Sequence, residues 1–226
     1  EEMKAAGVSP NAHTFASSLK ACGTVGTIDK VDEIYTEIRR KGILEKDVVI
    51  GNTLVDIYGK CGLLENAQSI FNELLVRNVV TWTSLISGYA EHGHDEQTIT
   101  CFEQMQLEGI LPDALTYVYI LKCCGTLAAI IVGHRIHIQI EGKESLYKDV
   151  FVGNALINMY MKCGCLTEAQ EVFDKLPVQN VVTWNSLIAG YARKGLGQKA
   201  LECFRKMQDK GVSPDAVTYV CILKAC

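Results

Sequence analysis

A 102-residue period governs this chain: it separates Asn52 from Asn154, Trp82 from Trp184, Cys61 from Cys163, and Cys101 from Cys203. The same spacing links Ala12 to Ala114 to Ala216, and Cys22 to Cys124 to Cys226. The long unit is composite, because the segments beginning at Val48, Val79, Val150 and Val181 open with related hydrophobic patterns. Self-similarity at roughly 31 to 36 residues marks a helical solenoid, in which each repeat buries its apolar face only against its neighbours. The expected fold is all-α, a right-handed α-solenoid of stacked helix-turn-helix repeats. Such an array has no internal domain boundary, so residues 1–226 are expected to form one domain that offers a long surface and not a single pocket.

The repeat from Val181 to Asp215 contains two helical stripes. Trp184, Leu187, Ile188 and Tyr191 fall at i, i+3, i+4 and i+7, and Ala200, Cys203, Phe204 and Met207 do the same. Gly195 and Gly197 are expected between the two helices, while Gly211 and Pro214 turn the chain into the next repeat. A helix of about 13 residues is roughly 20 Å long and needs a packing partner in water. Asn185 follows the core Trp184 by about 100° around the helix, so position five of each repeat is expected to be exposed and aimed at a groove. The residues in that slot are Ala16, Asn52, Thr83, Val118, Asn154 and Asn185; it varies while the flanking positions keep their core character.

At 48% hydrophobic and 21% charged, the chain has ample material for a core and no bias towards disorder. The longest apolar region, Thr126 to Ile140, is interrupted by Gly133, His134, Arg135 and His137 and is too short to cross a bilayer. Seven of the ten cysteines occupy equivalent repeat positions whole repeats apart, which favours reduced packing thiols and a reducing compartment over disulfides. The beginning at Glu1 reads as the end of a helix and Cys226 falls inside a repeat, so the chain is expected to be a piece of something longer. The formal net charge is -4, which runs against strong non-specific affinity for phosphates.

These residues resemble the pentatricopeptide repeat family, specifically its plant-type alternation of P, L and S motifs. The 35 residues from Val181 resemble a P motif, the 31 from Val150 an S motif and the 36 from Ala114 an L motif, together making the 102-residue period. The whole chain then divides into a partial P motif at 1–11, L at 12–47, S at 48–78, P at 79–113, L at 114–149, S at 150–180, P at 181–215 and a partial L at 216–226. The resemblance implies sequence-specific binding of single-stranded RNA at about one base per repeat, read by the fifth and last residues of each motif. The pairs are Ala16 with Asp47, Asn52 with Asn78, Thr83 with Asp113, Val118 with Asp149, Asn154 with Asn180, and Asn185 with Asp215.

Donor and acceptor inventories give those pairs chemical meaning. An ionised Asp only accepts, which suits the ring N–H of guanine or uracil; Asn can donate. A short Thr leaves room for a purine and a longer Asn reaches a pyrimidine. Thr83 with Asp113 then favours G, Asn185 with Asp215 favours U, and the two Asn-Asn pairs favour a pyrimidine, with cytosine foremost. Ala16 and Val118 carry no polar head and should read poorly. With the amino end towards the 5′ side, as the resemblance implies, the expected target is 5′-N-Y-G-N-Y-U-3′. Val49, Val80, Phe151 and Val182, second in their motifs, resemble apolar flanks for a stacked base, or else pack at helix starts. Lys60, Lys162 and Arg193, thirteenth in theirs, either meet phosphates or complement a helix dipole; Glu91 breaks that row. Each last-position Asp or Asn also stands where a helix N-cap belongs.

The resemblance further implies a chloroplast or mitochondrial RNA-processing or C-to-U editing factor, with multiple organellar RNA editing factors as partners. Relatives often end in a zinc deaminase-like domain, but its H-x-E and P-C-x-x-C motifs do not occur here. No catalytic, metal or cofactor residues are expected; His134 with His137, and Cys163 with Cys165, suggest helix or surface packing in preference to zinc. The alternative function is a scaffold that holds a protein or peptide in the same groove.

Overall fold

The computed structural model describes residues 10–44 and 47–225. The expected helix end near Glu1 and the final Cys226 lie outside the described residues. Those residues contain fourteen helices and no strands. They divide into two compact units, Glu1–Pro112 and Asp113–Cys226. The division falls within one residue of the P-to-L junction inferred from the 102-residue period.

The first unit comprises α1 (Ala12–Val25), α2 (Ile28–Arg40), α3 (Val48–Lys60), α4 (Leu64–Glu73), α5 (Val79–Glu91) and α6 (Asp95–Leu107). Consecutive helices pair as hairpins, and the first helices stack, α1 on α3 and α3 on α5. The second unit comprises α7 (Ala114–Thr126), α8 (Ile130–Glu141), the single turn α9 (Glu144–Tyr147), α10 (Val150–Cys163), α11 (Leu166–Lys175), α12 (Val181–Arg193), α13 (Gly197–Asp209) and α14 (Ala216–Ala225). There α7 packs on α10, α10 on α12 and α12 on α14.

The apolar stripes account for this packing. Trp184, Leu187, Ile188 and Tyr191 of α12 are buried, as are Ala200, Cys203 and Met207 of α13. The edge of Trp184 meets the ring of Phe173 at 4.6 Å and 71°, and Trp82 meets Phe71 with the same geometry one period earlier. An edge-to-face aromatic pair of this kind adds about 0.5–1.5 kcal/mol beyond the area it buries. Each pair fastens the second helix of one repeat to the first helix of the next.

Gly195 (φ +69°) makes the left-handed turn between α12 and α13 that only glycine adopts without strain. Gly197, expected in the connection, is instead the first residue of α13. At Gly59 and Gly88 the absence of a side chain lets α3 and α5 cross closely, because a Cβ added to Gly88 would lie 2.9 Å from Gly59 Cα. Among the described residues no helix is long and apolar enough to cross a membrane, and the nine described cysteines are free thiols. Cys123, Cys124 and Cys203 are buried packing thiols, whereas Cys61 ends α3 on the surface.

Candidate nucleic-acid interface

Each last-position residue starts a first helix. Asn78, Asp113, Asn180 and Asp215 precede a repeat with Thr at its third position, and their Oδ1 atoms accept from the backbone N–H of Thr81, Thr116, Thr183 and Thr218 at 2.8–3.0 Å. Asp47 and Asp149 precede Ile50 and Val152 instead. Their Oδ1 atoms accept from Val49 and Ile50, and from Phe151 and Val152. Short polar side chains suit this place because the first backbone N–H groups of a helix have no partner inside it. The capping role is therefore met by all six.

Position five is not exposed, contrary to the sequence expectation. Asn52, Thr83, Asn154 and Asn185 are buried, and Ala16 and Val118 are half-buried. A helix standing alone leaves this flank open; within each unit the first helix of the next repeat lies against it and covers it. The buried amides are held by specific bonds. Asn185, only 7% exposed, donates through Nδ2 to Asp215 Oδ1 at 2.9 Å and accepts at Oδ1 from the Thr218 hydroxyl at 2.6 Å.

The same wiring recurs in the first unit. Asn52 Nδ2 donates to Asn78 Oδ1 at 3.3 Å, and its Oδ1 accepts from the Thr81 hydroxyl at 2.5 Å. The third polar pair differs, since Asn154 Oδ1 is buried without a hydrogen-bond partner and the Thr183 hydroxyl donates to Asn180 at 3.1 Å. The structure thus joins Asn52 to Asn78 and Asn185 to Asp215. Ala16 and Val118 carry no group with which to bond Asp47 or Asp149. Thr83 belongs to the first unit and Asp113 to the second, where it caps α7.

Asn52 and Asn78 face open space. In the first unit a groove of about 860 Å³ is lined by Val49, Asn52, Asn78 and Val80, with Lys20 and Lys60 at its rim. In the second unit Val118, Phe151, Asn154 and Lys162 line a groove of about 380 Å³. All the kinds of position singled out from the repeat register are represented there. The second-position residues are half or more exposed: Val49 is 55% exposed and Phe151 78%, with Val80 and Val182 also exposed. Leu115 and Val217 occupy the same register and are equally exposed; the repeat alignment would have identified both, although they were not singled out.

Charge is distributed unevenly. Lys60 ends α3 and pairs with Asp56 at 2.7 Å, one turn back on the same helix. In the second unit Asn158 stands where Asp56 stood a period earlier. Lys162, Arg193 and Lys194 line one opening of about 360 Å³ there. Lys194 was missed from sequence because it follows the repeat's thirteenth position. The backbone N–H of Thr218 and the Asn185 amide hold the Asp215 carboxyl below its ordinary pKa, so it is an anion at neutral pH.

His134 and His137 do not converge on a metal: their Nδ1 atoms meet the Tyr160 hydroxyl at 3.1 and 2.8 Å. Among the described residues no group of three or more His, Cys, Asp or Glu is placed to hold a metal ion.

Helical hairpins stacked through their first helices, with a bonded polar pair in each of the two units, define a helical-repeat protein. The sequence pattern of the PPR repeat family matches residues 77–126 and 179–226, and that of the PPR repeat matches residues 52–79 and 154–181. The chain belongs to the pentatricopeptide repeat family. A chloroplastic pentatricopeptide repeat-containing protein of Arabidopsis thaliana is 39% identical over 224 residues, covering 99% of this chain and 36% of the relative. A mitochondrial one from the same plant is 36% identical over 239 residues, covering 97% of this chain and 26% of the relative. The chain thus spans about a third or less of the length of these relatives. The crystal structure of the pentatricopeptide repeat protein PPR10 from maize has the same fold, with a TM-score of 0.79 at 24% identity over 99% of this chain and 32% of that one. PPR10 in complex with an 18-nt psaJ RNA element matches with a TM-score of 0.77, at 24% identity over 99% of this chain and 33% of that one.

Proposed function

We propose that this chain is a single-stranded RNA-binding segment of an organellar RNA-processing or C-to-U editing factor, of the class that alternates P, L and S motifs. The observation that carries the proposal is the amide of Asn185 bonded to the Asp215 carboxylate, with the Asn52–Asn78 pair repeating it on the wall of a groove. Both pairs consume one oxygen internally and keep polar atoms to spare. Asp215 retains Oδ2 as an acceptor, whereas Asn78 retains Nδ2 as a donor. A uracil edge, with a carbonyl beside a ring N–H, complements the first pair. A cytosine edge, with a carbonyl beside a ring lone pair, complements the second.

Exposed Val49, Val80, Phe151 and Val182 then offer apolar surfaces against which bases stack, and Lys162, Arg193 and Lys194 attract phosphates. The RNA complex of PPR10 and the plastid and mitochondrial names of the relatives support this assignment. Because the net charge is -4, affinity in this segment is modest, and a protein partner such as a multiple organellar RNA editing factor would tighten it. Selection from a randomised RNA pool tests the proposal: an enriched Y-G-N-Y-U core supports it, and no enrichment at low salt assigns the groove to a peptide instead.

A further inference from the structure

We infer that the threonine opening the next repeat, Thr81 or Thr218, is a positioning residue that decides which atom of the preceding fifth-position Asn faces the ligand. The inference deepens the RNA-binding proposal and rests on it for its consequence, but its geometry stands apart.

Each threonine hydroxyl has one proton and sits at 0% exposure. Its oxygen accepts from a backbone N–H, that of Asn78 at 3.1 Å for Thr81 and that of Asp215 at 3.1 Å for Thr218. A backbone N–H cannot reverse its role, so the hydroxyl proton must be given elsewhere. The shortest bonds that take it run to Asn52 Oδ1 at 2.5 Å and Asn185 Oδ1 at 2.6 Å. The amide of Asn52 or Asn185 is thereby fixed with oxygen inward and nitrogen outward. One Nδ2 proton goes to Asn78 or Asp215, and at Asn52, which lines the groove of the first unit, the other is left to serve as a donor there.

Orientation is enforced from the far side as well, because Asn78 Oδ1 and Asp215 Oδ1 are already committed to the backbone N–H of the same threonines. At Asn52 the Thr81 hydroxyl is the donor that pairs the amide oxygen, so its loss leaves that buried oxygen unsatisfied and weakens the hold on its inward orientation. Without the hydroxyl, a turned Asn52 would offer an acceptor where cytosine also has one. Ile50 and Val152 occupy the third position after the L motifs, and there the fifth residues are Ala16 and Val118, with no amide to orient. The threonine and the polar fifth residue thus occur together.

The test uses the full 226-residue chain with Thr81→Val, which keeps the side-chain shape and removes the hydroxyl, and Thr81→Ser, which restores it. Binding is measured to RNAs differing only at the nucleotide assigned by selection to the Asn52–Asn78 pair. The expected result is that Thr81→Val lowers cytidine-over-uridine discrimination there about tenfold. Discrimination at the nucleotide assigned to Asn185–Asp215 should not change, and Thr81→Ser should recover the loss. Unchanged discrimination in a folded Thr81→Val chain overturns the inference while leaving the RNA proposal intact. Should Thr81→Val unfold, Thr81→Ala is read in its place with the same two outcomes. The RNA-free protein gives an independent reading. Thr81→Val should shift and broaden the side-chain amide resonances of Asn52, and resonances identical to wild type overturn the inference even if no RNA binds.

Discussion

Asn185 donates its amide to Asp215 across 2.9 Å and thirty residues of chain, joining the fifth residue of one repeat to the cap of the next first helix. Under the proposed RNA reading the bond makes recognition and architecture a single device, since the side chain assigned to the base also begins α14. A substitution at Asp215 therefore acts on specificity, provided the cap survives.

Asp215→Asn satisfies that condition, because Asn caps a helix about as well as Asp. It keeps the Thr218 contact and exchanges the outward acceptor for a donor. Preference at that nucleotide should move from uridine towards cytidine by about 1–3 kcal/mol, the usual scale for a bidentate contact to a base. Paired binding titrations against RNAs differing at one nucleotide measure the shift; retention of full uridine preference would refute the assignment.

Phe151→Ala separates stacking from packing. The ring is 78% exposed, so its removal should change the stability of the second unit by no more than about 0.5 kcal/mol. RNA affinity should nevertheless fall by about 1–3 kcal/mol, the value of one base stacked on an aromatic side chain. Thermal denaturation and binding measured on the same preparation give both numbers.

Lys162→Ala and Arg193→Ala should each reduce the slope of log affinity against log salt by about 0.7, the expectation for one lost phosphate contact on a single strand. Lys60→Ala should do less, because Asp56 already partners that ammonium group at 2.7 Å. Binding at four salt concentrations distinguishes the three variants, and equal slopes throughout would remove these side chains from the phosphate path.

Gly88→Ala would ordinarily stabilise a helix interior by about 0.5–1 kcal/mol. Here the new methyl would stand 2.9 Å from Gly59 Cα, so α3 and α5 would have to separate. We expect net destabilisation of about 1–3 kcal/mol, the range for overpacking a close contact. Urea unfolding monitored by circular dichroism measures it, and a stabilised variant would show that the two helices part at no cost.

His137 supplies a pH dependence. Burial, opposed by Glu141 at 3.7 Å, lowers its pKa below the ordinary 6.5, so the unfolded chain takes the proton first. The contribution of this residue to stability is complete above pH ~7. It declines as pH falls through about 6.5 towards the folded pKa, by at most about 1.4 kcal/mol per pH unit. His137→Gln should flatten that decline when urea unfolding is compared at pH 7.5 and 5.5.

Much of this organisation was legible in one dimension. Trp184, Leu187, Ile188 and Tyr191 indicate their burial because a 3.6-residue turn gathers them on one side, and a hairpin repeated every 31 to 36 residues has only its neighbours to pack against. Register alone also identified Asn52, Asn78, Val49, Val80 and Lys60, residues far apart in sequence that line a common groove. The exposure of position five was not legible: whether a residue 100° from the core stripe meets water depends on a helix some thirty residues later. Nor did sequence reveal the inward turn of the Asn52 and Asn185 oxygens, because a carboxamide has no preferred end until a committed donor such as the Thr81 or Thr218 hydroxyl is placed beside it. Periodicity determined which residues recur together, since it follows from local helix geometry; the direction in which their polar atoms point was decided by tertiary packing, since hydrogen-bond partners come from the next repeat.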